Sequence, residues 1–348
     1  MRSPFHGGAV RLRHVATLEP PGELSRLGSV SVGSAGQAVA VWTDSAGLES
    51  LAFVDDGAYD ETGPMEGPAA AVAITVHTPA TTQTVEVPDV RAVQPTAQPL
   101  PSGRVLLVGW GARWRPEGPD RNATIYGPDG RAELAACVGD GVSHVRTTVD
   151  GSVWIGYDDM GIYGNNDWGL DGAPWQIGAP GLIRFSPTLQ IEWEFPGPDI
   201  GRDTSDPVRR DRFAGLPGPI DDCSAITLEG DALWMYYYSS FPVVRIDGER
   251  AVHAWPCAVD EDAVPVIVQA IATDGHHVGL AGDSGQTYKN DRVVIARLED
   301  GWTPIRSPRL VLPDGSRLPN GSSMAGLGDT LHVFVGTEWY QVQLSSLV

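Results

Sequence analysis

Short apolar runs separated by turn residues recur along this chain, and one of them returns six times without repeating identically. The segments ending at Asp44, Gly111, Asp158, Tyr238, Asp283 and Glu338 stack without gaps as AVWTD, LVGWG, WIGYD, WMYYY, GLAGD and FVGTE. Each follows a Gly- or Asp-bearing turn and precedes another short stretch of β-forming residues. Runs of this length bounded by turn residues are strand signals, with successive side chains sent to opposite faces. A unit of roughly 45–65 residues holding four short strands is the pattern of a propeller blade.

The pattern predicts an all-β fold, a six-bladed β-propeller of four-stranded antiparallel blades in a single domain, residues 1–348. The blades fall at residues 28–90, 91–139, 140–197, 219–258, 264–313 and 319–348. The last holds only three strand segments, SSMAGLG, TLHVFVG and WYQVQLS. At the other end VRLRHVATL, residues 10–18, is a strand without a blade. We expect it to complete the C-terminal blade, because pairing the two ends removes an open sheet edge. An acidic excursion from Leu48 to Gly67 has no place in this scheme and is too short for a seventh blade.

Composition narrows the function classes. The 42 Gly and 28 Pro are spread between apolar runs, as expected for many short strands joined by turns. A net charge of −20 argues against nucleic acid and disfavours anionic membranes, since both need clustered Lys and Arg. The chain has no apolar run long enough to span a membrane, and MRSPFHGGAVRLRH lacks the apolar core of a secretory signal, so a cytoplasmic location is expected. Cys137, Cys223 and Cys257 have no metal-site spacing and read as free, buried thiols. There is no GxSxG, no HExxH and no GxGxxG between strand and helix, so no nucleotide cofactor is expected. The expected state is a monomer.

The six-blade count resembles the lactonase, gluconolactonase and strictosidine-synthase-like propellers, and also sugar dehydrogenases that carry a quinone. VWIGYDDMGIYG, and DDCSAITL joined to LWMYYYSSFPVVRI, are similar to segments of uncharacterised bacterial propeller proteins. That closer resemblance covers blades three and four and implies no particular activity. The lactonase-like resemblance implies a tunnel metal that polarises an ester carbonyl while a carboxylate or His moves the proton.

Loop lengths indicate where a site should lie. Asp158 to Pro180, Gly197 to Pro219 and Gly111 to Arg121 are long, and propeller topology sends all three to one face. The opposite face receives tight turns such as Val149-Asp150-Gly151 and Glu229-Gly230-Asp231. Long loops on a rigid scaffold build binding sites, so the site is expected at the tunnel mouth on the loop-rich face. Asp44, Asp158, Asp283 and Glu338 share one position in the strand repeat, with Asp159 beside Asp158, while His144, Asp221 and Asp222 begin first strands. At about 7 Å separation each carboxylate pair costs about 2 kcal/mol at an effective dielectric near 20. Such a ring holds a cation, pairs with Arg, or raises its pKa values.

The expected metal ligands are Asp158, Asp159, Asp222 and Asp283, with Ca²⁺ the best-fitting ion and Zn²⁺ the alternative if His144 joins them. Asp158 and Asp222 are the candidate acid/base groups and His144 the proton carrier. Tyr157, Trp168, Trp110, Arg113 and Tyr238 are the candidate substrate-binding residues. The function this suggests is small-molecule binding with metal-assisted hydrolase, lyase or isomerase chemistry. The alternative is a non-catalytic propeller that binds a protein or glycan. A competing structural reading attaches to every one of these residues: an Asp at a strand end caps the next turn, and aromatic residues pin long loops.

Overall fold

The computed structural model describes residues 6–52, 68–170, 172–196, 218–248, 252–257, 267–283, 290–299 and 301–348. The chain is a six-bladed β-propeller whose residues group into two compact units. It opens with two short strands, β1 (His6–Arg11) and β2 (Arg13–Thr17).

The first unit, Glu19–Ala214 with Pro219–Asp222, carries blades one to three. Blade one is β3 (Arg26–Val32), β4 (Ala38–Thr43), β5 (Ala70–His77) and β6 (Thr82–Val90), with a short helix α1 (Ser45–Leu51) after β4. Blade two is β7 (Thr96–Pro99), β8 (Val105–Val108), β9 (Ala123–Tyr126) and β10 (Ala132–Ala136). Blade three is β11 (Val142–Thr147), β12 (Val153–Tyr157), β13 (Leu182–Phe185) and β14 (Ile191–Glu194), with α2 (Asp159–Tyr163) after β12. Every neighbouring pair in these three sheets is antiparallel.

The second strands of these three blades are buried throughout for a packing reason. All residues of β4, β8 and β12 are buried, because these strands lie inside their sheets and are covered on both faces. The outer strand β6 instead alternates, burying Val85, Val87 and Val90 and exposing the residues between. Val39, Val41, Ile74, Val85, Val105 and Leu107 belong to one core cluster.

Polar groups join the first strands sideways. The fully buried Gln98 of β7 donates to Ser31 Oγ at 3.0 Å and to the Val32 carbonyl at 3.1 Å, and accepts from the Thr147 N–H at 3.3 Å. One amide therefore ties β3, β7 and β11 together, satisfying in the core groups that water would otherwise serve.

The second unit carries blades four to six. Blade four is β15 (Asp222–Glu229), β16 (Ala232–Tyr238), β17 (Pro242–Ile246) and β18 (Val252–Pro256). Blade five is β19 (Ile267–Thr273), β20 (His277–Asp283), β21 (Arg292–Leu298) and β22 (Trp302–Val311). Blade six contains β23 (Ser323–Leu327), β24 (Thr330–Val335) and β25 (Glu338–Gln343).

The N-terminal strand behaves differently from the single continuous strand expected over residues 10–18. It breaks at Leu12, and its halves join different sheets. β2 runs antiparallel to β25, from Arg13 opposite Gln341 to Thr17 opposite Glu338, and is the fourth strand of blade six. β1 runs parallel to β22 and makes blade five five-stranded. Leu12, 2% exposed, holds the break: its N–H donates to the Val311 carbonyl at 2.9 Å and its side chain packs in one cluster with Leu310, Leu318 and Leu331.

Glu338 departs from the other three acids of the strand repeat, Asp44, Asp158 and Asp283. Glu338 lies beyond the turn after β24 and begins β25, where its carboxylate meets His14 Nε2 at 2.7 Å and the Thr17 hydroxyl at 3.1 Å. FVGTE matches the repeat in letters, but its turn comes two residues early. Residues 53–67 of the acidic excursion and residues 197–217 of the loop before blade four, with Arg209, Arg210 and Arg212, lie outside the described residues. Cys223 and Cys257 are buried and Cys137 half-buried, all as free thiols.

Candidate acid–base site at the exit of blade three

The site is built in the first unit, where the loop after β8 and the loop after β12 meet the turn that starts β11. Asp158 follows β12 and caps α2: one carboxylate oxygen accepts the Gly161 N–H at 3.1 Å. The other accepts the Trp110 indole N–H at 2.7 Å. Asp44 caps α1 in the same way through the Gly47 N–H at 2.7 Å. The matched acids of blades one and three are therefore helix caps, and in blade three the cap is also tied to a neighbouring loop.

Two glycines allow this approach. Gly141 has φ +62°, and a Cβ there would fall 2.2 Å from Asp158 Oδ1. A Cβ on Gly161 would fall 2.2 Å from the Asp140 carbonyl oxygen. Between them the backbone of the turn lies directly against the first turn of α2.

Asp140, absent from the candidates read from the sequence, is the hub of the framework. It is fully buried; Oδ1 accepts the Ala112 N–H and Oδ2 the Asn166 side-chain amide, both at 2.8 Å. Burial pushes its carboxyl up to about 6 despite these donors, and the nearby Asp158 adds to the rise. Its setting between Gly139 and Gly141 reads as a plain turn, so the only sequence signal was a carboxylate flanked by two glycines.

The expected substrate-binding residues divide. Tyr157 is fully buried and its hydroxyl donates to the Val138 carbonyl at 2.5 Å. Trp168, 4% exposed, donates to the Ala112 carbonyl at 2.6 Å, and Arg113, also 4% exposed, pairs with Asp167 at 3.4 Å. Arg115 pairs with Asp120 at 2.6 Å. These four side chains hold the loops. Trp110 is half-buried and remains at the surface of the group. Tyr238 ends β16 in the second unit, exposed and edge-on to Phe241 at 5.3 Å.

The acid/base candidates lie closer together. Asp222 is half-buried, and its carboxyl is pushed up to about 6 by burial first and then by the like charges of Asp158 and Asp159. Asp158 is itself raised, chiefly by burial, against the lowering donors Trp110 and Gly161. The Tyr163 hydroxyl on α2 donates to Asp221, the neighbour of Asp222. His144 is half-buried on β11, opposite Gly156. Asp283 ends β20 in the second unit, buried.

A tunnel metal needs several ligands with free oxygen lone pairs converging on one point. Among the described residues no group of three or more His, Cys, Asp or Glu side chains is arranged to hold a metal ion. Asp158 directs a lone pair of each oxygen at an N–H donor.

Comparison with known proteins gives a local match and distant likenesses of fold. The YxzG family matches residues 210–294. No curated protein matches the chain. Among solved structures, the chain is similar to catalytically inactive virginiamycin B lyase from Staphylococcus aureus with quinupristin, at 10% identity over 95% of this chain and 98% of that one, with a TM-score of 0.40. It is similar to the extracellular domain of a putative one component system from B. thetaiotaomicron, at 9% identity over 98% of this chain and 43% of that one, TM-score 0.43. A putative gluconolactonase is similar at 12% identity over 97% and 93% of the two chains, TM-score 0.37.

Proposed function

We propose that the exit of blade three is a small-molecule site at which Asp222 exchanges a proton with a carbonyl-bearing ligand, in hydrolase, lyase or isomerase chemistry. The observation that carries this reading is the Asp222 carboxyl, half-exposed yet poised at about 6 by burial and by Asp158 and Asp159. A group poised near neutrality both accepts and returns a proton within one turnover, which a carboxyl in its ordinary range does poorly. Asp158, held by two N–H donors, adds its negative charge to the burial that raises the Asp222 proton affinity. Tyr163, bonded to Asp221, and Trp110, bonded to Asp158, supply the flat surfaces of the proposal, and His144 is its second proton carrier.

The test is turnover of small esters, lactones and β-eliminating or isomerising carbonyl compounds between pH 5 and 8. The expected rate profile turns on a group near pH 6, and Asp222→Asn lowers the rate about 100-fold or more. A flat profile through pH 6, or equal turnover by the variant, rejects the proposal. Stoichiometric Ca²⁺ bound by the wild type and lost in Asp222→Asn would replace proton chemistry with the metal-assisted kind.

A second reading rests on a separate observation. Met160, Tyr163 and Leu170, on α2 and the loop after it, are 45%, 48% and 62% exposed. Large apolar side chains grouped on one long loop suit a protein- or glycan-binding face that performs no reaction. Loss of a captured partner on Met160→Ser with Leu170→Ser, with no turnover of any test compound, would favour it.

A further inference from the structure

Blade five carries charge opposite to that of the chain. The net charge is −20, yet four arginines gather on one face of this sheet. Residues directly opposite each other on adjacent strands present their side chains to the same side. Arg292 of β21 stands opposite Arg309 of β22, which is paired in turn with Ala9 of β1. Two residues further along β22, Val311 shares that face and is flanked by Arg11 of β1 and by Arg317, to which it is bridged. Ala9 and Val311 give this face a small apolar floor between the guanidinium-bearing chains.

Among the described residues, Asp291 and Asp314 answer these four cations. Asp291, 1% exposed, accepts Arg317 Nε at 3.0 Å and Nη2 at 2.8 Å on a single oxygen, with Arg309 Nε at 3.5 Å from the same atom. The exposed Asp314 is felt by Arg11. Arg292, half-buried, forms no ion pair among the described residues. Like charges placed directly opposite each other destabilise a sheet unless something neutralises them. A further group points the same way: Ser307 lies on this face of β22, two residues before Arg309, 5% exposed, and its hydroxyl meets no partner among the described residues.

We propose that this face of blade five is an oxyanion site, taking a phosphate or sulfate monoester group of a small molecule. Guanidinium forks match the oxygens of such groups in bidentate fashion, and the Ser307 hydroxyl adds a neutral donor. The ligand is small because the field of the cluster decays within about 8 Å at physiological salt, beyond which an acidic surface repels an extended polyanion.

Calorimetric titration of the full-length protein with inorganic phosphate and with methyl phosphate, at constant ionic strength, tests this. We expect saturable binding of both, weakened at least tenfold in Arg292→Gln, a substitution that breaks no ion pair among the described residues. Asp291→Asn removes a competing negative charge and should tighten binding, the opposite sign. Equal phosphate binding by wild type and Arg292→Gln overturns the proposal, as does no saturable binding at all. Binding of a long polyanion such as heparin without binding of phosphate also overturns it, in favour of a macromolecular ligand.

Discussion

The indole N–H of Trp110 donates to Asp158 Oδ2 at 2.7 Å, joining the loop after β8 to the cap of α2. Read separately, the two residues suggest a ligand wall and a metal ligand. Bonded to each other, they form a clamp that fixes one carboxylate so that its charge acts on another.

Replacing Trp110 with Phe keeps a flat ring and removes this bond. The expected loss is about 1–2 kcal/mol of stability, the range for a hydrogen bond to a charged group that water can partly replace. The Asp158 carboxyl should titrate at higher pH in the variant, because the lost N–H favoured its charged form. Urea unfolding and an NMR titration check both. Asp158→Ala should cost about 1 kcal/mol beyond Trp110→Phe, since the helix cap goes too.

The pH dependence of stability follows from the raised carboxyls. Asp222 sits at about 6 in the folded chain against an ordinary 3.8, so between those values the folded state binds more protons than the unfolded one. Its stabilising contribution is fully present below pH 4 and is lost as pH rises through 6. Asp222→Asn should therefore be more stable than wild type at pH 7, with the gap closing towards pH 4. Melting temperatures measured across that range would contradict this if the two curves ran parallel. A residue that weakens the fold at neutral pH is what a functional site is expected to retain.

Asp140→Leu should be among the most damaging substitutions. It leaves the Ala112 N–H and the Asn166 amide unpaired in the interior, at about 1–3 kcal/mol for each. Asp140→Asn keeps the shape and part of the bonding and should lose much less. Chemical denaturation of the pair separates bonding from packing.

Gln98→Leu tests the sideways links between the first strands. The substitution keeps the side-chain bulk but strands the Thr147 N–H and takes a donor from Ser31 Oγ and the Val32 carbonyl, and about 2–3 kcal/mol should be lost. A neutral result would mean that packing alone holds β3, β7 and β11 together.

Removing residues 1–18 exposes the edges of β25 and β22 and removes Leu12 and Leu18, 2% and 1% exposed. Each buried Leu is worth about 1.5–3 kcal/mol, so the truncated chain should melt lower. With two free edges it should also self-associate, which light scattering would show.

The strands and their grouping into six blades were legible because they depend on local alternation and turn chemistry, which any window of the chain carries. The repeated Trp of blades three and four shows this well. Trp154 and Trp234 take the same place on β12 and β16, each under an arginine of the next strand at 5.8 Å, Arg184 and Arg245. That an N-terminal strand would complete the last blade was legible too, from a vacancy at one end and a surplus at the other. Its break at Leu12 was not, because the break is decided by a pocket built from Leu310, Leu318 and Leu331, some 300 residues away.

The site divides along the same line. Letters alone placed Glu338 beside Asp44 and Asp158, but a turn two residues early put it on another strand, against His14. The hub residue Asp140 was invisible because its partners Ala112 and Asn166 come from loops that have no period. Sequence determined which residues lie on strands, since backbone sterics and alternation act over a few residues. Only the tertiary structure decided which carboxylates meet, since burial and the field of Asp158 on Asp222 depend on how aperiodic loops close over the sheets.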